Sequence, residues 1–488
     1  MGKSFLARQR ALLLITPFLA FTGAQAQLIS DDLRVQAEAL RDAAMRDTIA
    51  YELVESLTME VGPRSAGSAG DKAAVAWAVQ MLQGLGFENV RTEDVVVPHW
   101  DRGSLSTKMS APYAQQFVAT SLGGSPGTNG DTISAEVLRV ESLVELRALS
   151  NDELEGNVVF IDHVMQRAID GGGYSAASRI RSCAHYIAAE RGAAATLIRS
   201  AGTSRHRVPH TGSMLNNDIP PTIPAIALAN ADADILTYAV QSDEPVVVQL
   251  NSTAQHHAKE ISANVIGEIP GQGALADEIV LLGAHLDSWD LGTGAIDDGS
   301  GVAIVTAAAR MILESGNAPR RTIRVVLFAN EEFGLDGAEQ YNEDHADTIE
   351  KHIVGLEADS GAGRNWRLRS QVAESALDLV AEIHSLLEPI GLELGNNKAS
   401  GGADLSPMRK VGMPVLSLTH DSTYYFDYHH TPDDTLDKID RDDLNQNVAA
   451  YVTATYIAAN IDQDFGRLAP YALPERTCSA EHDTWPPK

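Results

Sequence analysis

The sequence contains very little cysteine. Its 488 residues include two, Cys183 and Cys478, which excludes a disulfide-rich scaffold and a metal site built from thiolates. A bound metal must therefore be held by histidine and carboxylate side chains. Because the two cysteines lie far apart in sequence and are expected in different domains, we do not favour a disulfide between them.

Positive charge is also scarce. The chain has 37 Lys and Arg against 66 Asp and Glu, which gives a formal net charge of −29. Nucleic acids and anionic membrane surfaces attract basic patches, so the composition argues against both as partners. Long apolar runs are missing too, since no stretch approaches the roughly 20 apolar residues of a membrane-spanning helix.

The N-terminus has the order of residues that is typical of an export signal. Three basic residues among the first ten precede a short apolar run over residues 11–21, and residues 24–26 supply a small-x-small cleavage pattern. The apolar run is too short to span a bilayer. We therefore expect a signal peptide over residues 1–26 and a secreted or periplasmic protein.

Helix and strand patterns divide the remaining chain into three segments. Residues 27–114 predict an N-terminal helical arm and the first part of a catalytic domain. Residues 115–255 contain short β-like runs and predict a β-rich inserted domain. Over residues 256–488 strands alternate with helices, which indicates a sheet covered on both faces. The predicted fold class is α/β, with a mixed central sheet flanked by helices and an inserted β-rich domain.

Polar side chains follow the predicted strands of the C-terminal segment, at or just after the point where each strand ends. These residues are His285, Asp287, Asp297, Glu331, Glu332, Asp359 and His430. Ligands in such sheets gather at the carboxyl ends of the strands, so we expect these side chains to lie close together. Any one of them is easily explained as a solvated surface residue, but the whole set in this order is not.

Imidazole and carboxylate ligands without thiolates suit zinc, with manganese and cobalt as alternatives. The candidate ligands outnumber those that one tetrahedral ion needs, which predicts two Zn²⁺ ions that share a carboxylate. Of the adjacent glutamates Glu331 and Glu332, one is expected to bind metal and the other to act as a base. Their spacing leaves open which does which.

These motifs resemble those of the co-catalytic zinc aminopeptidase and glutamate carboxypeptidase family. The matching segments are Gly-Ala-His-Leu-Asp over residues 283–287, Gly-Ala-Ile-Asp-Asp-Gly-Ser-Gly over 294–301, Asn-Glu-Glu over 330–332, Glu-Ala-Asp over 357–359 and Tyr-His-His-Thr-Pro-Asp-Asp-Thr over 428–435. The resemblance is strongest toward the plasma glutamate carboxypeptidase branch. Residues 205–214 and 223–225 resemble the protease-associated domain that this branch carries.

The resemblance implies a role for each metal ligand. Asp297 bridges two zinc ions. His285 and Asp359 complete one zinc site. Glu332 and His430 complete the other, and His430 is chosen over its neighbour because it directly precedes Thr-Pro-Asp-Asp-Thr, as in the family motif.

The resemblance also implies the roles of the other polar residues. Glu331 takes the proton of the attacking water, and Asp287 orients the imidazole of the first zinc site. The peptide bond after Asp297 is expected to be cis. Tyr425 is a candidate for lining the substrate pocket, and Asp404 is a candidate for holding its loop.

The branch implies hydrolysis of dipeptides or short peptides with a free N-terminus, and it suggests a homodimer. A carboxypeptidase that releases C-terminal glutamate is an alternative. Its candidate carboxylate-binding residues are Arg364, Arg367, Arg369 and Arg409. A non-catalytic receptor with the same fold and a one-zinc acyltransferase-like relative are further alternatives. The receptor would be expected to lack a ligand or the base, whereas all six positions are filled here.

Overall fold

The structure is a computed structural model that describes residues 27–214, 221–472, 477–480 and 483. The signal peptide predicted over residues 1–26 lies outside the described residues. Within the described part of the chain, no helix combines the length and the apolar character that crossing a membrane requires.

Helices account for much of the chain on either side of the predicted insertion. In the described residues the α-helices are α1 (Asp31–Ala44), α2 (Ile49–Ser56), α3 (Ala69–Gly84), α4 (Leu143–Ala148), α5 (Asn151–Leu154), α6 (Tyr174–Ala189), α7 (Asn230–Val240), α8 (Ser300–Glu314), α9 (Asp336–Asp344), α10 (Leu377–Leu387), α11 (Ser406–Lys410), α12 (Tyr425–Tyr428) and α13 (Arg441–Asn460). Side-chain caps fix several of their starts. Ser68 caps α3 and Asp440 caps α13 by accepting hydrogen bonds from backbone amides of the first turn.

The strands form two large sheets and one short ribbon. They are β1 (Glu88–Val97), β2 (Trp100–Asp101), β3 (Leu105–Ala111), β4 (Gln115–Gln116), β5 (Ala119–Ser121), β6 (Ile133–Val140), β7 (Val158–Ile161), β8 (Ala195–Arg199), β9 (Ala225–Leu228), β10 (Val247–Ser252), β11 (Gln255–His256), β12 (Glu260–Ile269), β13 (Ile279–His285), β14 (Thr322–Phe328), β15 (His352–Glu357), β16 (Asn365–Gln371), β17 (Glu393–Leu394) and β18 (Val415–His420).

The central sheet has eight strands in the order β1-β12-β14-β13-β15-β18-β16-β17. At its centre β13 runs parallel to both β14 and β15. Strand β12 pairs antiparallel with β1 and β14, whereas β16 pairs antiparallel with β18 and parallel with β17. All seven residues of β13 are buried. Val280 and Leu282 belong to one apolar cluster and Leu281 to another, so the strand is covered on both faces. The predicted α/β class, a mixed sheet flanked by helices, is confirmed.

The second sheet also has eight strands, in the order β4-β3-β10-β6-β7-β8-β9-β5. It begins with β3, ahead of the boundary predicted at residue 115. Strands β6, β7, β8 and β9 run parallel to one another, and α6 packs on β8 while α7 contacts β6 and β8. Residues 115–255 thus contain four helices, α4 to α7, besides their strands. Helices α4, α5 and α6 lie in crossover connections, which parallel strands need. The ribbon of β2 and β11 joins the two segments that connect the sheets.

Cys183 and Cys478 form a disulfide, which is the pairing that the sequence analysis did not favour. Residues 477–480 and 483 pack on the second sheet unit, whereas Phe465 still belongs to the apolar cluster of the central sheet. There Arg147 donates a hydrogen bond to the Cys478 carbonyl and forms an ion pair with Asp483, while Arg179 donates to the Ser479 carbonyl at 3.2 Å. Cys183 and Cys478 are 295 residues apart in sequence. The sequence alone does not show which surface a terminal segment packs on, so the disulfide could not be predicted from it.

Candidate metal centre

The predicted site residues come together at one edge of the central sheet. His285 is the last residue of β13, and Asp297 lies in the loop that leads into α8. The two glutamates follow β14, Asp359 follows β15, and His430 follows the short helix α12. Strands β13, β14 and β15 are parallel, so their carboxyl ends meet at the same edge. The topology therefore explains why residues far apart in sequence share one site.

The side chains form two groups that share Asp297. In the first group, Nε2 of His285 lies 3.1 Å from Oδ1 of Asp297 and 3.7 Å from Oδ1 of Asp359. In the second, Nε2 of His430 lies 3.2 Å from Oδ2 of Asp297 and 2.9 Å from Oε2 of Glu332. The two oxygens of Asp297 thus face different groups, which is the arrangement expected of a carboxylate between two metal ions.

His429 lies close to the second group as well. Its ring stacks on that of His430 with centroids 3.5 Å apart, and its Nε2 is 3.5 Å from Oδ2 of Asp297. The nearby Glu332, however, contacts His430. The geometry brings both histidines to the cluster, and the contact with two carboxylates favours His430 as the ligand.

The donor set fits divalent metal ions. His285, Asp297, Glu332 and His430 are each at most 7% exposed, and burying carboxylates is costly unless a cation neutralises them. Oε1 of Glu332 is buried and has no hydrogen-bond partner among the described residues. Imidazole nitrogens and carboxylate oxygens without sulfur are the ligands of catalytic zinc.

The charges of the cluster shift the pKa values of its members. Burial by itself would lower the pKa of His430, but the adjacent Glu332 and Asp297 carboxylates raise it to about 9. Burial raises the pKa of Glu331 well above its ordinary value, and the negative charge of Asp359 raises it further. The site is thus strongly negative, and it attracts cations.

Asp287 connects the two halves of the site. The Nδ1 of His285 lies 3.1 Å from the Asp287 carbonyl and 3.5 Å from its carboxylate, in line with the orienting role that the resemblance implies. The same carboxylate accepts hydrogen bonds from the backbone amides of Glu331 at 3.0 Å and Glu332 at 3.3 Å. Asp287 therefore also holds the turn that carries both glutamates, a contact that sequence spacing did not indicate.

We expect Asp287→Asn to lower both kcat/KM and zinc affinity by about 10–100-fold. The amide nitrogen of asparagine cannot accept from a backbone N–H, so one of the two glutamate amides loses its partner. Steady-state kinetics and zinc titration of the variant would measure the effect. Asp347→Asn, at an exposed position, is the matched control, and unchanged kinetics in Asp287→Asn would contradict the positioning role.

The two substrate-pocket candidates occupy different places. The Tyr425 ring lies 4.9 Å from that of His429 and also contacts the Gly361 backbone region. Burial, followed by the Asp297 charge, raises the pKa of Tyr425 well above its ordinary value, so its phenol keeps its proton.

The loop of Asp404 is held by Glu357, whose carboxylate accepts hydrogen bonds from the backbone amides of residues 403–405. Both Asp404 carboxylate oxygens are buried without a hydrogen-bond partner among the described residues.

The arginines considered for a glutamate pocket are engaged elsewhere. Arg364 pairs with Asp443, Arg367 lies over the Trp366 ring, Arg369 donates to the Lys398 carbonyl and Arg409 donates to the Ala399 carbonyl. None of these contacts involves the metal-ligand cluster. The structure therefore does not bring these residues to the site.

Three supporting residues were missed by the sequence analysis. Arg64 is fully buried and donates to the carbonyls of residues 286, 293 and 294. Asp434 accepts from the Asp297 amide at 3.3 Å and from the preceding amide at 2.7 Å. Trp289 donates its indole N–H to Oε2 of Glu332 at 2.6 Å. Asp434 lies within the Thr-Pro-Asp-Asp-Thr motif, so the sequence could have indicated its role. The contacts of Arg64 and Trp289 depend on tertiary packing, which the sequence pattern does not show.

The second sheet unit reaches the cluster through residues 210–211. The Thr211 amide donates to the His430 carbonyl at 2.9 Å, and the Thr211 carbonyl lies 3.3 Å from Nδ1 of His430. Nδ1 of His210 lies 2.8 Å from the His429 carbonyl. The inserted segment thus positions the loop of the second ligand group.

A mixed α/β sheet with a histidine and carboxylate cluster at its carboxyl edge defines the chain as a zinc metallopeptidase. The sequence profile described as peptidase family M28 matches residues 264–455. Carboxypeptidase Q of Mus musculus is 33% identical over 413 residues, which cover 85% of this chain and 86% of that protein. The chain belongs to peptidase family M28, and the resemblance drawn from its motifs is confirmed.

Solved structures agree with this assignment. The structure of a peptidase M28 precursor from Shewanella amazonensis SB2B superposes with a TM-score of 0.87 at 45% identity, covering 91% of this chain and 100% of that chain. A zinc aminopeptidase from Bacillus subtilis shares the fold with a TM-score of 0.62 at 22% identity, covering 85% of this chain and 95% of that chain. The cis peptide bond that the resemblance implies is present between Asp297 and Asp298.

Proposed function

We propose that this peptidase is a two-zinc exopeptidase that hydrolyses dipeptides or short peptides with a free N-terminus. The observation that carries the proposal is the position of Asp297, whose two oxygens face separate ligand groups. His285 and Asp359 would hold one ion with it. Glu332 and His430 would hold the other.

Bound zinc supplies a Lewis acid that polarises the scissile carbonyl and makes water more acidic. The protein's own residues do the rest. Glu331, whose pKa burial and Asp359 raise, takes a proton from the attacking water and passes it to the departing amine. The protonated phenol of Tyr425 can donate a hydrogen bond to the negative charge that develops on the substrate.

The surroundings of the site support recognition of an N-terminus over recognition of a C-terminal glutamate. A glutamate-releasing carboxypeptidase would need arginines at the site, and the four candidates make their contacts elsewhere. Residues 210–211 and Tyr174 also contact the His429–His430 loop, so the second sheet unit borders the second ligand group.

A secreted or periplasmic location is part of the proposal. The disulfide between Cys183 and Cys478 is typical of proteins from oxidising compartments. It agrees with the export signal that residues 1–26 predict.

A matched set of peptides tests the proposed substrate class. We expect a free dipeptide to be hydrolysed and its N-acetylated form to react at least about 100-fold more slowly, because a buried site left without its charged partner is costly. The C-terminally amidated form should keep most of the activity. Product analysis by mass spectrometry measures all three. Hydrolysis of the N-acetylated form together with loss on amidation would contradict the proposal and support a carboxypeptidase.

A further inference from the structure

A second cluster of metal-binding side chains lies where the two sheets are connected. His99 and Asp101 lie in the outgoing segment, which leads from β1 of the central sheet through β2 to the second sheet. His257 follows β11 in the returning segment, which leads from the second sheet back to β12 of the central sheet. One ligand atom from each of these three residues lies within 4.8 Å of the other two. The cluster shares no residue with the metal centre and has no role in the proposed peptidase reaction.

The two imidazoles lie near different oxygens of the Asp101 carboxylate. Nε2 of His257 lies 2.8 Å from Oδ2 of Asp101, and Nε2 of His99 lies 3.7 Å from Oδ1. In a tetrahedral zinc site with bonds of about 2.0–2.1 Å, neighbouring ligand atoms are about 3.3 Å apart. The observed separations lie on either side of this value. Each imidazole nitrogen is thus near the distance from the carboxylate that ligands of one ion have, and all three ligand atoms lie within 4.8 Å of one another.

The backbone already holds the cluster together. The His257 amide donates to the His99 carbonyl at 2.9 Å, and Asp101 is paired with Gln255 in the β2–β11 ribbon. The rings of His99 and His257 are stacked with centroids 4.6 Å apart. Besides stacking on each other, both rings place Nε2 toward the Asp101 carboxylate. The Asp101 side chain is 62% exposed, so an ion can reach it from solvent.

We propose that His99, Asp101 and His257 form a binding site for a divalent ion of the zinc class, separate from the metal centre. Two imidazoles and one carboxylate are ligands that zinc accepts, with water completing its coordination. The ion would cross-link the outgoing and returning segments next to the β2–β11 ribbon that pairs them.

This position matters for the neighbouring metal centre. Trp100, between two of the proposed ligands, packs with Trp289 and Phe333 in one apolar cluster. The next residue but one, Arg102, forms an ion pair with Asp290. Trp289 in turn donates to Glu332. An ion at the ribbon would therefore hold the segment that supports the loop of residues 289–290.

Zinc titration of the holoprotein tests the proposal. Zinc chloride is added in competition with a fluorescent chelator to the wild type and to His257→Gln, Asp101→Asn and His206→Gln. The last variant replaces an exposed imidazole outside the cluster and is the matched control. We expect the wild type and the control to bind one more ion per chain than His257→Gln and Asp101→Asn at the same free zinc concentration. Peptidase activity without added zinc should be the same in all four proteins.

Thermal unfolding provides a second readout. The unfolding midpoint of the wild type and of His206→Gln should rise as zinc is added beyond the amount that the metal centre holds, because an ion that binds only the folded state stabilises it. The midpoints of His257→Gln and Asp101→Asn should not respond. Equal zinc binding by all four proteins would overturn the proposal. Because activity is measured separately, this result would leave the proposed peptidase function intact.

Discussion

Glu331→Gln is expected to lower kcat by about 10²–10⁴-fold while the amount of bound zinc stays unchanged. Glutamine keeps the size of the side chain but cannot accept the proton of the attacking water. The pKa of Glu331 is raised well above its ordinary value by burial and by Asp359, which suits a base that later returns the proton to the amine. Turnover of a dipeptide, together with the metal content of the same sample, measures the effect.

Two further variants separate the base from the ligand. Glu332→Gln should lose zinc as well as activity, because Oε2 of Glu332 contacts His430 and a neutral amide is a poorer ligand than a carboxylate. Glu343→Gln, at an exposed position of α9, should behave like the wild type. Wild-type turnover in Glu331→Gln would move the base role to another residue. Loss of zinc in that variant would make Glu331 a ligand instead.

The location of the site could be predicted because it follows from local patterns. The β-branched and apolar run that ends at His285 is a buried strand, and so are the runs that precede Glu331 and Asp359. Parallel strands bring their carboxyl ends to one edge of the sheet. The strand patterns in the sequence were therefore enough to predict that these residues lie close together. The separate roles of Glu331 and Glu332 were not contained in the spacing and came from the family resemblance.

Contacts between distant segments could not be predicted in this way. Arg64 holds the loop of residues 286–294 across more than 200 positions of sequence, and nothing in a Gly-Pro-Arg loop specifies such a partner. The disulfide of Cys183 depends on the path of the C-terminal segment over the second sheet unit. The His257 cluster depends on the β2–β11 ribbon, which pairs residues about 150 positions apart. Each of these contacts depends on tertiary packing, which produces no helix or strand periodicity in the sequence.

Asp297→Ala is expected to reduce bound zinc at the metal centre from two ions to nearly none and to abolish turnover. The expectation follows from geometry, because Oδ1 of Asp297 faces His285 and its Oδ2 faces His430. Removal of a shared ligand weakens both sites and leaves the remaining buried carboxylates without a counter-charge between them. Metal analysis after dialysis against a defined free zinc concentration, with circular dichroism to verify the fold, measures the loss.

The adjacent histidines provide the control for this interpretation. His430→Ala should lose one ion, since its Nε2 contacts both Asp297 and Glu332. His429→Ala should keep both, because its Nε2 is farther from Asp297, at 3.5 Å, and it packs as a ring against its neighbour. Two ions retained by Asp297→Ala would contradict the bridge. One ion lost from His429→Ala and none from His430→Ala would assign the second site to the other histidine, while the shared role of Asp297 would stand.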